Sequence, residues 1–405
     1  MEMEHDDTES SERVDVHVEV RMAAASAAKR EEVRERVLDW FAVKQELKPG
    51  RHGGQDLNGL DPDVKEIVVD VAEPCAAWEA NLIIHVFKIN DQGSYDESTE
   101  DDPTSTVFTH WELPAKEFDG LWENLLFEVE VKEHLLEFAT TSLLFSANCV
   151  NPNIISWNHV VLLHGPPGTG KTSLCQALAQ KLSIRLDHSF ARTELLEVNS
   201  HSLFSKWFSE SGKLVSKLFS YVHELAEDAN TLVCILIDEV ESLAAARSAA
   251  VSGSEPSDSI RVVNALLTQL DRLKTRKNVI ILTTSNITEA IDLAFVDRAD
   301  IRQYIGLPNE KVRALILKGC IEELATVDII QKPGLSDALD TEEMALLEEC
   351  IALTEGLSGR ALRKLPFQAH ARFVRKKKAS RRSFLKALAK AAAVEKKSIA
   401  NHDQS

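Results

Sequence analysis

The stretch Val160–Thr172, VVLLHGPPGTGKT, constrains what this chain can fold into more tightly than any other. A short apolar run, Val160–Leu163, leads into a glycine-rich turn and then directly into a helix beginning near Lys171. Gly165, Gly170, Lys171 and Thr172 fill the pattern G-x-x-x-x-G-K-[ST]. Gly165, Gly168 and Gly170 let the backbone fold tightly and point its N–H groups inward at a phosphate chain. Lys171 adds a mobile positive charge for β- and γ-phosphates, and the Thr172 hydroxyl is placed to bind Mg²⁺. The helix N-terminus behind them adds partial positive charge, so a triphosphate is the expected occupant. The candidate binding loop is therefore Gly165, Pro166, Pro167, Gly168, Thr169, Gly170, Lys171, Thr172 and Ser173. A chance glycine turn before a helix is the competing reading, and it leaves the flanking strand and helix unexplained.

A chain of 405 residues allows two or three domains. Its 44% hydrophobic and 27% charged content is that of a soluble globular protein. No apolar run approaches the roughly 18 residues needed to span a bilayer, which argues against a membrane role. The first residues, MEMEHDDTESSE, are acidic where a signal peptide is basic and then apolar. Six cysteines show neither a CxxC pair nor metal-ligand spacing, which fits a reducing compartment. The net charge of −18 argues against direct nucleic-acid binding. Residues 372–397 are strongly basic, however, and read either as a nucleic-acid or nuclear-import segment or as a helix face opposite an acidic neighbour.

Residues 1–12 read as a disordered acidic tail. Val14, Val16, Val18 and Val20 alternate with polar residues in a half-buried strand, and Ala23–Leu47 reads as a helix. Further strands are expected at Glu66–Val71, Ala80–Ile89 and Thr104–Trp111, which makes residues 13–112 a small α+β module without a catalytic cluster. Glu117–Val150 reads as mostly helical, and from Trp157 onward strand and helix alternate, the signature of a parallel sheet covered on both faces, so 113–307 reads as one large domain. After Pro308 only helices follow, so 308–405 reads as a small all-α domain with a basic tail.

Two further strands end in polar groups. The run 232–237 ends in Asp238 and Glu239. Asp238 is suited to hold Mg²⁺, and Glu239 to polarise an attacking water. Adjacent side chains point to opposite sides of a strand, so the chain must turn there for both to serve one site. The strand Val279–Leu282 ends in TTSN, where Asn286 could reach both γ-phosphate and water or be a plain turn residue. Arg298, in FVDRADI, could reach a neighbouring subunit's γ-phosphate, or could pair with Asp297 or Asp300. Arg302 is a second candidate.

The order GPPGTGKT, LIDEVESL, TTSN, DRAD and GLSGR resembles the AAA+ ATPases. Ser200–Val215, Glu255–Asp271, Thr284–Gly306 and Gly356–Phe367 are similar, nearly residue for residue, to the pachytene checkpoint protein 2 family, which remodels HORMA-domain proteins. The resemblance implies an AAA+ P-loop parallel sheet with a C-terminal helical lid and a small N-terminal domain that binds substrate or adaptor. It implies ATP and Mg²⁺ at Lys171 and Thr172, and Asp238 and Glu239 as the metal-holding and hydrolytic acids. It also implies Asn286 as sensor 1, Arg298 as a trans-acting finger and Arg360 as the lid's sensor 2 arginine. Trp207 and Phe208 fall at the family's substrate-gripping pore loop, although core packing is the alternative from composition alone. A homo-hexamer acting on HORMA-domain substrates, with a HORMA-like adaptor, follows by resemblance. So does a setting of meiotic chromosome axes and the spindle checkpoint, in the nucleus and on chromosomes with a cytosolic pool. A nucleic-acid motor or clamp loader on the same core is the alternative, supported by the basic tail alone.

Overall fold

The computed structural model describes residues 13–71, 73–98, 106–199, 211–242, 258–286, 293–332 and 340–402. Two large sheets with their flanking helices, a two-stranded ribbon and a helical bundle account for them. In the first sheet, β1 (Val14–Met22) is central. It pairs antiparallel with β4 (Val64–Asp70) and parallel with β6 (Ala80–Phe87), while β3 (Gly50–Gly53) edges β4. A separate two-stranded ribbon joins β2 (Glu46–Leu47) to β5 (Cys75–Ala76). The alternation of β1 places Val16, Val18 and Val20 in the core, where Val33, Val37 and Phe41 of helix α1 (Arg30–Ala42) meet them. This helix is shorter than the expected Ala23–Leu47. The Ala23 amide donates to the Asp63 carbonyl at 2.7 Å, which commits the chain to a turn, and Glu31 and Glu32 suit a helix N-terminus at Arg30.

The second sheet has seven strands. β9 (Val160–His164), β10 (Arg192–Asn199), β11 (Thr231–Asp238), β12 (Val279–Ser285) and β13 (Ile301–Tyr304) run parallel in the order β13-β9-β12-β11-β10. Beyond β10 the sheet continues antiparallel through β8 (Thr106–Leu113) and then β7 (Tyr95–Ser98). Residues 95–112 were expected in the N-terminal module, yet these two strands belong to the larger sheet, which shifts that boundary back toward residue 90. The cause is pairing: β8 offers a free edge to β10, and Leu195 lies opposite Trp111.

Period-two alternation sends apolar residues to both faces. Val161, Leu163, Cys234, Leu236, Ile280 and Leu282 meet α3 (Val129–Ala147) and α4 (Lys171–Arg185). Val160, Leu162, Ile235, Ile237 and Ile281 meet α5 (Ser211–Leu225) and α6 (Asp258–Leu273). Two short helices, α2 (Leu121–Asn124) ahead of α3 and α7 (Leu293–Val296) ahead of β13, complete this domain.

The C-terminal bundle contains α8 (Glu310–Thr326), α9 (Thr341–Leu353), α10 (Gly359–Ala369) and α11 (Arg381–His402). Side-chain oxygens of Asn309, Asp340 and Ser358 cap the first three by accepting from Val312, Glu343 and Ala361 amides. The basic segment is largely α11. Phe384, Leu385, Leu388 and Ala392 are buried, while Arg381, Arg382 and Lys386 pair with Glu343, Asp340 and Glu342 of α9 and its cap. An acidic neighbour thus takes up three of the cations on which a nucleic-acid reading depended. Among the described residues, no helix is long and apolar enough to cross a membrane.

Candidate nucleotide-binding site

The parallel strands end together, with His164 opposite Ser285 and Asp238 opposite Asn199. The loop after β9 lies along this edge and leads into α4. Gly165 has φ +145°, and a Cβ there would stand 2.2 Å from the Ile305 carbonyl oxygen. Gly168 and Gly170 also have positive φ, +76° and +97°. A side chain at any of the three would be strained. Pro166, Pro167, Thr169 and Ser173 complete the cradle at the start of α4.

Lys171 is 4% exposed, and its ammonium donates to the carbonyls of Gly165 (2.9 Å) and Pro166 (2.8 Å). Burial pulls it below the usual lysine range, against the opposing pull of Glu241 and Asp238. Thr172 Oγ1 donates to Asp238 Oδ1 at 2.9 Å, and the Thr284 hydroxyl bonds the same oxygen. A hydroxyl and a carboxylate meeting at the first turn of α4 are the hard oxygen donors that Mg²⁺ takes. The cradle and donor set therefore fit a metal-bound triphosphate.

Glu239 adopts φ +58°, a left-handed turn that is rare for a glutamate. This is the bend that lets two successive carboxylates face one site. The Glu239 amide donates to Thr284 Oγ1 at 3.2 Å, and Asn286 Nδ2 lies 3.4 Å from Glu239 Oε1. From the lid, the Arg360 amide donates to the Gly168 carbonyl at 3.0 Å. The structure thus gathers the loop, Asp238, Glu239, Asn286 and Arg360.

Arg298 is not among them. It lies just before Asp300, whose carboxylate accepts from the Asn158 and Val160 amides at the start of β9. The loop follows the other end of that strand, on the order of 15 Å away at ~3.3 Å per residue. Burial raises the Asp300 carboxyl despite these amides. Among the described residues Arg298 pairs with Asp271, neither of the aspartates expected. Trp207 and Phe208 lie outside the described residues, as do residues 1–12.

Sequence reading missed a cavity of about 290 Å³ beside the loop. Phe127, Val131, Ile305, Leu307 and Val312 line it, with Thr169 at its edge. The lining comes from four separate segments, so no local spacing could reveal it.

The fold and this site define a P-loop ATPase of the AAA class. Residues 161–307 match the family described as ATPase family associated with various cellular activities (AAA). Residues 11–92 match the TRIP13 N-terminal domain, and 334–396 the TRIP13-like, AAA+ ATPase lid C-terminal domain. The chain is 50% identical to a pachytene checkpoint protein 2 homolog of Oryza sativa subsp. indica, over 89% of this chain and 83% of the relative. Its human counterpart is 47% identical over 92% and 91%. A solved structure of C. elegans PCH-2 superposes with a TM-score of 0.78 at 34% identity, covering 94% of this chain and 99% of that one. A Trip13 complex of E. coli MS115-1 shares the fold, with a TM-score of 0.56 at 20% identity over 69% and 94%. The chain belongs to the pachytene checkpoint protein 2 family of AAA ATPases. It is an ATP-binding enzyme that hydrolyses ATP.

Proposed function

We propose that the chain is a ring-forming remodeller, a homo-hexamer that uses ATP hydrolysis to convert HORMA-domain proteins between folded states. What carries this reading is the extent of the likeness. It covers the N-terminal module and the lid as well as the motor core, so more than an engine is shared. The solved E. coli relative is described in a HORMA:CdnC:Trip13 complex, which is in keeping with that substrate class. A HORMA-like adaptor would dock on the N-terminal module. Meiotic chromosome axes and the spindle checkpoint are the proposed setting, with nuclear, chromosomal and cytosolic pools.

In this reading Gly165 to Ser173 hold the phosphates, and the cavity beside Phe127 takes the adenine. Thr172 and Asp238 hold Mg²⁺, which neutralises phosphate charge when bound. Glu239 accepts a proton from the attacking water, with Asn286 orienting both. Arg298 serves the neighbouring subunit, since its own site lies at the far end of β9. Arg360 brings the lid to the loop, and Trp207 and Phe208 grip substrate in the pore.

Glu239→Gln should bind ATP and stall. Captured from cell extract with ATP, it is expected to bring HORMA-domain proteins with it, and to lose them when Trp207 is also changed to Ala. Recovery of nucleic acid with its binding proteins instead would reassign the task while leaving the ATPase intact.

A further inference from the structure

Glu241 is two residues past Glu239 and lies outside the roles described above. Its Oε1 accepts the Asn286 backbone amide at 3.1 Å. That bond ties the residue at the end of β12 to the chain just past β11 and fixes where the Asn286 side chain starts; its Nδ2 then lies 3.4 Å from Glu239 Oε1. The other oxygen, Glu241 Oε2, is buried and has no hydrogen-bond partner among the described residues. A buried carboxylate oxygen in this position is costly unless water or a bound ligand meets it.

We infer that Glu241 is a positioning residue for hydrolysis: through Oε1 it holds Asn286 at the reach of Glu239. It touches no reacting atom and acts through the asparagine. The inference rests on the proposed roles of Asn286 and Glu239. A carboxylate is suited to this task because the strand end exposes a backbone N–H that would otherwise stay unpaired. Glutamine can supply the same acceptor without the charge, and alanine cannot.

The test measures steady-state ATP hydrolysis and fluorescent-nucleotide affinity on the full-length assembled chain for Glu241→Ala, Glu241→Gln, Asn286→Ala and the Glu241→Ala/Asn286→Ala double variant. Glu241→Ala is expected to lower kcat about tenfold or more while nucleotide Kd stays within about threefold, the mark of an interaction used in the transition state. Glu241→Gln should recover most of that loss. The double variant should be no slower than Asn286→Ala alone, since the two act as one unit. An unchanged kcat in Glu241→Ala, equal damage from Gln and Ala, or additive losses would each overturn the inference. A normal kcat in Asn286→Ala would instead bring down the underlying site reading. Retained nucleotide affinity in Glu241→Ala separates a lost positioning bond from a misfolded loop.

Discussion

Arg298 holds Asp271 with two parallel bonds, Nε to Oδ1 at 2.9 Å and Nη2 to Oδ2 at 2.7 Å. Lys274 adds a contact to Oδ1 at 3.1 Å. The hydrogen bond from Arg298 is the main reason the Asp271 carboxyl lies below the usual aspartate range. The fork geometry fixes the direction of the guanidinium at the end of the domain remote from its own phosphate loop.

The first prediction follows from that placement. Arg298→Ala should leave nucleotide Kd within about twofold, yet cut turnover of the assembled protein by on the order of 10³, the usual worth of a transition-state arginine. Steady-state hydrolysis beside a fluorescent-nucleotide titration reads both. Normal turnover would remove Arg298 from the reaction.

Gly165 should tolerate nothing larger. Gly165→Ala drives a Cβ to 2.2 Å from the Ile305 carbonyl oxygen at φ +145°, and backbone cannot move aside cheaply. Nucleotide affinity is expected to fall on the order of a hundredfold, equivalent to about 3 kcal/mol. Affinity within threefold of the parent would mean the loop re-forms without that approach.

The two sheets are joined by buried charge. Glu19 is 3% exposed and lies 2.6 Å from both Lys181 and Arg185 of α4, and Arg185 also bonds Asp70. Burial alone would raise the Glu19 carboxyl; the two cations outweigh it and hold it below its ordinary value. Glu19→Ala strands those cations and should cost about 3–5 kcal/mol in urea unfolding. A loss under about 1 kcal/mol would show that water replaces the carboxylate at that junction.

His159 predicts an acid limb. The ring is 1% exposed, between Ser142 Oγ (2.8 Å to Nδ1) and Ser146 Oγ (3.0 Å to Nε2). The Trp157 indole N–H, which can only donate, is shared between Nε2 at 3.1 Å and Ser146 Oγ at 3.2 Å, an arrangement that suits a neutral ring. Desolvation lowers its pKa from 6.5 to about 4. Below the ordinary histidine value the unfolded chain takes up a proton that the folded chain refuses. Stability should therefore fall as pH drops from about 6.5 to about 4, by about 3 kcal/mol at ~1.4 kcal/mol per unit. Unfolding midpoints at pH 7 and pH 4 measure it. His159→Asn keeps a residue suited to the left-handed φ of +61° and should flatten the slope; an equally steep slope in that variant would place the effect elsewhere.

The phosphate loop, the strand tips and the alternation of the central sheet were legible because each is written in consecutive residues. The turn at Glu239 could be foreseen from the need to aim two neighbouring carboxylates at one place. What stayed hidden depends on meetings between distant segments. The pairing of β8 with β10 cannot be read from Thr106–Leu113 alone, since a half-polar strand suits the edge of either sheet. Asp271, which Arg298 binds, comes from helix α6, 27 positions away. The cavity beside Phe127 is assembled from four pieces, none unusual in itself.

Helix α4 has one end in each half of the molecule. Lys171 starts it at the phosphate loop, and Arg185 closes it against Glu19 and Asp70. The distance is about 21 Å at ~1.5 Å per residue, with no proline or glycine between to absorb a push. The helix is therefore a strut. A displacement of the loop along its axis would be carried toward β1 and β4, and a pull on that small sheet toward the phosphate cradle, by the same rod.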